Sequence, residues 1–241
     1  MSRQRIIAMI PARIGSERLK IKNLALIDGK PMIAYSILAA QESKVFDRII
    51  INSDSEVFRP IAERYSVEFY KRPEHLGSSA TKSDDVVFDF VQKNISEVVV
   101  WVNSISPLQT GEDIRKVIQY FQKENLDSLF TTKNEQVHSV YKGKSLNFEE
   151  AGKFAQTQDL EPVQLFVYSI MMWRTEPFVK EMNRQGFAFF VGKVGYYPVC
   201  KPSTLIIKNE EDLKLADYVL RAKRLDRFNI EYDELAIPFL K

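Results

Sequence analysis

The sequence is poor in the residues that hold small secreted or zinc-binding domains together. Its 241 residues include one cysteine, Cys200, and two histidines, His75 and His138. A single thiol excludes an internal disulfide and a cysteine-based zinc site, and neither histidine has a second ligand residue at metal-binding spacing. We therefore expect no disulfide framework and no histidine- or cysteine-based metal centre.

Long apolar runs and an excess of one charge are also missing. No run approaches the roughly 18 apolar residues of a membrane-spanning helix, and no secretory signal opens the chain. Lysine and arginine total 34 against 32 aspartate and glutamate. This balance gives no sign of a nucleic acid or an anionic membrane as a partner. We therefore expect a cytoplasmic protein with neither kind of partner.

The sequence does contain enough apolar residues, 45%, for the core of one large domain, which we take as 1–241. Strand-like runs alternate with helical stripes, which predicts an α/β doubly wound fold with a mostly parallel sheet and helices on both faces. The predicted strands are 6–10, 47–52, 67–70, 97–102, 128–132, 166–173, 188–191 and 204–207. The predicted helices are 31–42, a helix ending at 65 that Asp54 or Ser55 caps, 82–94, 111–124, 176–183 and 211–223.

A basic loop follows the first predicted strand. Pro11 is expected to end that strand's ladder, since it has no N–H to donate. Gly15 in the loop would let the backbone approach a ligand closely. Four cations within ten residues at the carboxyl end of a strand suit a highly charged anion such as a nucleoside triphosphate: Arg13, Arg18, Lys20 and Lys22. An ordinary basic surface loop is the alternative.

The order of residues here resembles a known family. Ile10-Pro-Ala-Arg-x-Gly-Ser-x-x-x-x-x-Lys22-Asn23, followed by Gly29-Lys-Pro-Met-Ile-Ala-Tyr-Ser36, is similar to the opening of the sugar-acid cytidylyltransferases. These are the CMP-N-acetylneuraminate (acylneuraminate) synthetases and their pseudaminate, legionaminate and Kdo relatives. The resemblance implies a Rossmann-like nucleotide-diphospho-sugar transferase fold and transfer of CMP from CTP to a small 2-keto sugar acid, with Mg²⁺ as cofactor.

The resemblance also implies a nucleotide site. Arg13 and Lys22 would be catalytic, since they would offset charge on the α-phosphoryl oxygens and on leaving pyrophosphate. Arg72, in Arg72-Pro73-x-x-Leu76, would contact the cytidine; a surface arginine before a proline turn is the alternative. The implied nucleotide-binding residues are Ala12, Arg13, Gly15, Ser16, Arg18, Lys22, Asn23, Arg72, Ser79 and Thr81. Thr81 or Ser83 could instead cap the next helix.

The implied acceptor site departs from the family pattern. Asn103-Ser-Ile-Ser106-Pro-Leu-Gln109 resembles Gln-Pro-Thr-Ser-Pro-Leu-Arg, so Asn103 and Gln109 replace a glutamine and an arginine. Glu17 and Thr157 likewise stand where relatives carry a lysine and an arginine. The implied substrate-binding residues are Asn103, Ser106, Gln109 and Gln158. Arg174 and Lys193 are alternative cations for an acceptor carboxylate, and the identity of the sugar stays open.

The largest departure lies near the C-terminus, where relatives carry Asp-x-Asp-Thr-x-x-Asp-Leu. Aligned on Asp212-Leu213, the first two acids are Ile206 and Lys208, which cannot bind a metal. Mg²⁺ could be held mostly by triphosphate oxygens and water, Lys208 could replace the cation, or activity could be lost. Asp212 is the candidate metal ligand, although it could simply begin the last helix, where a carboxylate is favoured.

Residues 133–165 are polar and lack a helical period. A segment of this length without structure of its own is unusual inside a compact domain. We interpret it as an inserted arm, and the resemblance implies that it forms a homodimer contact. Alternative functions are a nucleotidyltransferase of the same fold with a phosphonate or sugar-phosphate acceptor, and a nucleotide-binding protein without catalysis. Trp101 and Trp173 are predicted to lie in the core, and the role of the tail 224–241 is open.

Overall fold

The computed structural model describes residues 4–16, 18–225 and 229–239. Its strands are β1 Ile6–Ala12, β2 Leu26–Ile27, β3 Lys30–Pro31, β4 Arg48–Ser53, β5 Glu68–Lys71, β6 Val98–Val102, β7 Ser128–Glu135, β8 Val140–Tyr141, β9 Lys144–Ser145, β10 Val163–Arg174 and β11 Val194–Pro198. Its helices are α1 Met32–Ser43, α2 Arg59–Arg64, α3 Ser83–Lys93, α4 Gly111–Lys123, α5 Thr175–Gln185 and α6 Glu210–Arg224. Seven strands form one sheet in the order β11-β7-β10-β6-β1-β4-β5.

The sheet is parallel except at β10. β1 pairs in parallel with β4 and β6, β4 with β5, and β11 with β7, whereas β10 is antiparallel to both β6 and β7. Parallel neighbours need a crossover connection, usually a helix. The chain between β7 and β10 contains no α-helix and returns directly, so β10 runs the opposite way. The predicted α/β fold with a mostly parallel sheet is confirmed.

Helices cover both faces of the sheet, as predicted. On one face, α1, α2 and α4 bury apolar residues against β1 and β6, with Ile37, Ile61 and Val117 as examples. On the other face, α3 and α5 pack Phe90 and Phe178 against the same strands. Burial of these side chains is the main stabilising contribution to the fold, at roughly 25 cal/mol per Å² of apolar surface.

Pro11 does not end the first strand, contrary to the prediction. β1 continues through Ala12, with Pro11 opposite Asn52 in β4. The carbonyl of Pro11 accepts a hydrogen bond from the Ser104 hydroxyl at 3.1 Å, on the side where β6 has ended. In a strand the N–H and C=O of one residue point to the same side, so the missing N–H falls where no ladder partner is needed.

Two predicted strands near the C-terminus are wrong, and one was missed. The apolar run 188–191 is a turn whose residues Ala188 and Phe189 donate their N–H groups to the Asp84 carboxylate at 2.8 and 2.9 Å. Residues 201–204 form a 3-10 helix and 205–208 an extended segment without a ladder. The true last strand, β11, contains Gly195 and ends at Pro198. Glycine and proline are uncommon inside strands, so the pattern did not indicate a strand here. An edge strand such as β11 can accommodate both residues.

The arm is partly regular structure. β7 extends to Glu135 and β10 begins at Val163, so the two strands pair beyond the body of the sheet, and β8 and β9 form a small hairpin between them. The ladder between β10 and β7 shifts register between Phe166 and Met171, where β10 carries a bulge. Tyr168 in this bulge has φ 57°, a left-handed conformation that is rare for a bulky residue.

The last helix begins where the sequence predicted. Asn209 accepts a hydrogen bond from the N–H of Asp212 at 2.9 Å, and the Asp212 carboxylate accepts from the N–H of Asn209 at 3.1 Å. This reciprocal pair is a capping box. Glu17 and parts of the tail, 226–228 and 240–241, lie outside the described residues. Within the described ranges, no helix has the length and apolar character needed to cross a membrane.

Candidate functional site

A cavity of about 320 Å³ opens at the carboxyl ends of β1 and β6. This size is within the range of small-molecule sites. The edge where parallel strands end is the usual ligand position in open α/β sheets. The residues that line it are Pro11, Arg13, Ser16, Lys22, Asn23, Arg72, Leu76, Ser78, Ser79, Thr81, Ser83, Val86, Trp101, Asn103, Ser104 and Ile105.

The loop after β1 is fixed by hydrogen bonds at both ends. The N–H of Ile14 donates to the Asp54 carboxylate at 3.2 Å, just beyond β4. At the far end Asn23 is buried, and its side-chain amide accepts from the Ser104 hydroxyl at 2.8 Å. Ile21, with φ 49°, turns the chain into a short 3-10 helix at Lys22–Leu24. The loop therefore carries Arg13, Ser16 and Lys22 to the cavity in a fixed arrangement.

Lys22 is half-buried, and its ammonium donates to the carbonyl of Ile207 at 3.0 Å. Desolvation, followed by repulsion from Arg18 and Arg13, lowers the pKa of Lys22, while Asp212 acts in the opposite direction. Cations held together without a matching number of carboxylates favour an anionic ligand, because the ligand would relieve their repulsion. The electrostatics of this wall therefore fit a polyphosphate.

Arg72 forms the buried part of the charged wall. It is 4% exposed, and its guanidinium lies 3.8 Å from the Asp54 carboxylate. Burial lowers the pKa of Arg72, with Asp54 opposing that shift. Within the described ranges its Nε has no hydrogen-bond partner. The same Asp54 thus holds both the loop after β1 and Arg72, which makes it the support of the charged wall.

A second wall of the cavity is neutral. The Asn103 amide donates to the carbonyl of Tyr168 at 3.0 Å, and the N–H of Asn103 donates to the carbonyl of Ser169 at 2.9 Å. Both carbonyls belong to the bulge in β10, so the bulge sets the position of Asn103. Trp101 lies two residues earlier on β6 and also lines the cavity. The prediction that Trp101 is a core residue is therefore wrong in part, whereas Trp173 is fully buried.

The structure brings half of the predicted site residues to the cavity. Those that line it are Arg13, Ser16, Lys22, Asn23, Arg72, Ser79, Thr81 and Asn103. Those that do not are Ala12, Gly15, Arg18, Ser106, Gln109, Gln158 and Asp212. Arg18 still acts on the pKa of Lys22. Neither Thr81 nor Ser83 caps α3, since Lys82 is at the N-cap without a side-chain bond, and Thr81 donates instead to the carbonyl of His75.

Three predicted acceptor contacts lie elsewhere. Ser106 is buried, and its hydroxyl donates at 3.1 Å to the carbonyl of Ser203, in the 3-10 helix that follows β11. Gln109 is also buried, beside a smaller cavity between α1 and α6. Gln158 is exposed in the arm, and its carbonyl accepts from the Gln136 amide at 2.9 Å. Within this chain, none of the three faces the cavity.

Arg174 and Lys193 are not cations of this site. Arg174 donates to the carbonyl of Leu126 at 2.8 Å, and Lys193 donates to the carbonyl of Glu124 at 2.5 Å. Because β10 is antiparallel, its C-terminal residue Arg174 pairs with Val98 at the start of β6. Arg174 therefore lies at the other end of the strands from the cavity, and so does Lys193, which directly precedes the parallel strand β11. The reversed direction of β10 explains the position of Arg174, and the unpredicted strand β11 explains that of Lys193.

The side chains near the cavity do not form a protein-built metal site. In the described part of the chain no three histidine, cysteine or acidic residues cluster at metal-binding geometry. Asp212 accepts from the N–H groups of Lys208 and Asn209 at 2.7 and 3.1 Å, which is the helix-start role left open by the sequence. Asp54 is occupied with Ile14 and Arg72. These residues therefore do not fit an octahedral Mg²⁺ site of their own.

Several lining residues were missed by sequence reasoning: Pro11, Leu76, Val86, Trp101, Ser104 and Ile105. Most are apolar or small, and only the alternation along β6 could have indicated that Trp101 shares a face with Asn103. A mostly parallel α/β sheet with a cation-lined cavity at the carboxyl ends of its strands is typical of proteins that bind phosphorylated ligands such as nucleotides. Comparison with known proteins narrows that class.

A cytidylyltransferase family model matches residues 7–198. The chain belongs to the cytidylyltransferase family. It is 27% identical over 232 residues to the N-acylneuraminate cytidylyltransferase of Streptococcus agalactiae serotype III, covering 90% of this chain and 55% of that protein. The chain thus spans about half the length of the streptococcal relatives that it matches.

Two further relatives are shorter or match in part. The post-translational flagellin modification protein B of Campylobacter coli is 28% identical over 233 residues, covering 91% of this chain and 97% of that protein. The CMP-N,N'-diacetyllegionaminic acid synthase of Legionella pneumophila is 36% identical over 124 residues, covering 48% of this chain and 52% of that protein. The predicted family resemblance is confirmed.

Solved structures share the fold. A CMP:2-keto-3-deoxy-manno-octonic acid synthetase complexed with CTP superposes with a TM-score of 0.69 at 14% identity, covering 91% of this chain and 99% of that one. The 4-diphosphocytidyl-2C-methyl-D-erythritol synthase of Anaerococcus prevotii gives 0.65 at 15% identity, covering 90% and 99%. These similarities show that the chain shares its fold with both structures.

Proposed function

We propose that this protein transfers CMP from CTP to a 2-keto sugar acid of the sialic acid type and releases pyrophosphate. The observation that carries the proposal is the charged wall, where burial and then the neighbouring charges of Arg18 and Arg13 lower the pKa of Lys22, and where both Arg13 and Lys22 line the cavity. Membership of the cytidylyltransferase family supports CTP as the nucleotide. Relatives named for acylneuraminate and diacetyllegionaminic acid support the class of acceptor.

The chemistry follows from the two walls. The anomeric hydroxyl of the acid attacks the α-phosphorus of CTP, forming the P–O bond to the sugar as the bond to the β-phosphate oxygen breaks. The hydroxyl proton passes to solvent or to the departing pyrophosphate. Arg13 and Lys22 offset the charge that develops on the α-phosphoryl and pyrophosphate oxygens. Arg72 contacts the cytidine, and Asn103 positions the acceptor. No covalent enzyme intermediate is needed, because both substrates bind side by side.

A pyrophosphate-release assay with CTP and a panel of sugar acids tests the proposal. N-acetylneuraminate, N,N'-diacetyllegionaminate and pseudaminate form the panel, with a sugar phosphate and a phosphonate as acceptors of the alternative reaction. Release with a sugar acid supports the proposal, and release with only the other acceptors overturns it. If CTP binds but no pyrophosphate is released with any acceptor, the result would instead favour a non-catalytic nucleotide-binding protein. Ile206 and Lys208 are the reason for that alternative.

The nucleotide is tested separately by thermal shift. A ligand that binds only the native state raises the midpoint of unfolding. We expect CTP to raise it more than UTP, ATP or GTP at equal concentration. A larger shift with ATP or GTP contradicts the assignment of CTP.

Mg²⁺ enters the proposal as a counter-ion of the triphosphate, held mainly by phosphate oxygens and water. This proposal is supported by the hydrogen bonds of the two candidate carboxylates: Asp54 and Asp212 both already accept hydrogen bonds from backbone N–H groups. We expect a weak apparent affinity, on the order of millimolar. Ile206→Asp combined with Lys208→Asp should tighten the Mg²⁺ dependence of CTP binding, and an unmoved titration would count against this account.

We further propose a cytoplasmic homodimer with residues 133–165 at the interface. The arm exposes large apolar side chains that a partner copy would cover: Val140, Tyr141, Leu146, Phe154 and Leu165. Exposed apolar groups in one segment favour a protein contact. Light scattering at micromolar concentration tests the dimer. A monomeric mass contradicts this interface. So does a Phe154→Ser, Leu146→Ser double variant that dimerises with the same affinity as the wild-type protein.

A further inference from the structure

Trp101 occupies the neutral wall of the cavity in a way that the proposed roles leave unexplained. It lies on β6 two residues before Asn103, which directly follows that strand. Both line the cavity. The chain has only two tryptophans, and the other, Trp173, is fully buried.

The two indole N–H groups differ in their partners. Trp173 donates to the carbonyl of Phe189 at 2.7 Å. The indole nitrogen of Trp101 is buried but has no hydrogen-bond partner among the described residues. Buried tryptophan N–H groups usually find an acceptor, since an unpaired donor loses its bond to water without replacement. The unpaired group at the cavity wall therefore indicates that something absent from the protein supplies the acceptor.

The other two polar side chains on this wall each already donate a hydrogen bond within the protein. The Asn103 amide donates to the carbonyl of Tyr168, and the Ser104 hydroxyl donates to Asn23 at 2.8 Å. An indole N–H donates and cannot accept. The ligand atom that satisfies it must therefore be an acceptor, and a sugar acid carries several such atoms in its carboxylate and hydroxyl oxygens.

We propose that Trp101 is a specificity-determining residue that donates its indole N–H to an oxygen of the acceptor sugar acid. This inference rests on the proposed function and names a contact within it. The ring forms part of the cavity wall, and the N–H selects an acceptor that presents an oxygen at that point. A site that is built to hydrogen-bond a substrate group discriminates strongly against analogues that lack it.

The first test is Trp101→Phe, which keeps an aromatic ring and removes the N–H. The acid used is the member of the sugar-acid panel that the wild-type protein turns over fastest. We expect its KM to rise about 10-fold, the effect of one lost hydrogen bond, with the KM for CTP and kcat within about twofold. Trp173→Phe is the matched control. It also loses an indole hydrogen bond, so it should lower Tm while leaving the acceptor KM unchanged.

The second test uses the Trp173→Phe protein, in which Trp101 is the sole tryptophan. Titration with the same acid should shift Trp101 fluorescence, with a midpoint that matches the acid's Kd. An unchanged acceptor KM in folded Trp101→Phe overturns the inference and gives the N–H to a buried water. A rise in the KM for CTP alone overturns it in favour of the nucleotide. If none of the sugar acids in the panel supports pyrophosphate release by the wild-type protein, the proposed function is wrong, and this contact is wrong with it.

Discussion

The two walls of the cavity differ in the kind of interaction that they offer. The charged wall holds Arg13, Lys22 and Arg72, whereas the neutral wall presents Trp101 and Asn103. Fixed cations attract any polyphosphate, and the attraction falls slowly with distance. Hydrogen bonds from rigid neutral groups depend on the position of each ligand atom. Under the proposed function, the charged wall would stabilise the charge of the nucleotide and the neutral wall would select the acceptor.

The largest effect is expected from the removal of Lys22, a cation of the charged wall. Lys22→Ala should lower kcat on the order of 10²-fold or more, because charge on the departing pyrophosphate loses its partner. Tm should change little, since Lys22 lies in a polar loop and makes one hydrogen bond, to the carbonyl of Ile207. Steady-state kinetics and a thermal melt measure the two quantities.

Lys20→Ala is the matched control, since Lys20 is an exposed cation of the same loop and does not line the cavity. It should leave kcat within about threefold, because exposed charges are largely screened. Equal losses in the two variants would mean that general loop charge, and not the position of Lys22, drives turnover.

A smaller effect is expected from disturbing the support of the charged wall. A methyl group added at Gly77 would lie 2.7 Å from the Asp54 Cβ, too close for two carbons. Gly77→Ala should therefore push Asp54 away from Ile14 and Arg72 and reduce the free energy of unfolding by about 1–3 kcal/mol. Urea denaturation measures the loss.

Gly15→Ala sharpens this test. A Cβ at Gly15 would meet no heavy atom within 4 Å, so the ligand-free fold should keep its stability. If the loop approaches the phosphates closely, as its sequence suggested, the same variant should weaken CTP binding. A stability loss at Gly15 equal to that at Gly77 would contradict the role given to Asp54.

The smallest effect is a change with pH. Because burial and neighbouring cations lower the Lys22 pKa, its ammonium loses its proton at a lower pH than an ordinary lysine. CTP affinity should then weaken as pH rises through that lowered pKa, which lies below the ordinary lysine value of 10.5. The ligand-free protein should gain stability over the same window, since the unfolded chain there binds more protons.

Calorimetric titration with CTP across this range measures the affinity limb. Lys22→Arg keeps its charge at alkaline pH, so its affinity should depend less on pH in that range. An identical alkaline limb in both proteins would assign the titration to another group.

Sequence reasoning succeeded where local pattern and a contiguous motif determine structure. The alternation of apolar runs and helical stripes was enough to predict the mostly parallel sheet, and the motif around Arg13 and Lys22 was enough to predict the charged wall. Boundaries moved by one to three residues, and Asp212, which the sequence offered as a residue that could begin the last helix, forms part of the capping box of α6. These features depend on neighbours close in sequence.

The errors came from features set by distant parts of the chain. Arg174 and Lys193 were offered as alternative cations of the site because nothing in their neighbourhood indicated that β10 runs antiparallel or that a strand begins at Val194. Gln109 occupies a motif position yet faces a different cavity. Trp101 was assigned to the core because an aromatic residue in a β-branched strand usually lies there. Each of these positions depends on which elements pack together in the fold. Local patterns in a single sequence do not show this.

The hydrogen bond from Lys22 to Ile207 has a practical consequence for the boundaries of this domain. The family match ends at residue 198, yet the carbonyl of Ile207 holds the central cation of the site. Ile207 is in turn buried with Ile27, Met32 and Ala216 of α6. An expression fragment cut at the family boundary would therefore release Lys22 from its tether and expose an apolar seam. Any minimal working version of this protein has to extend through α6.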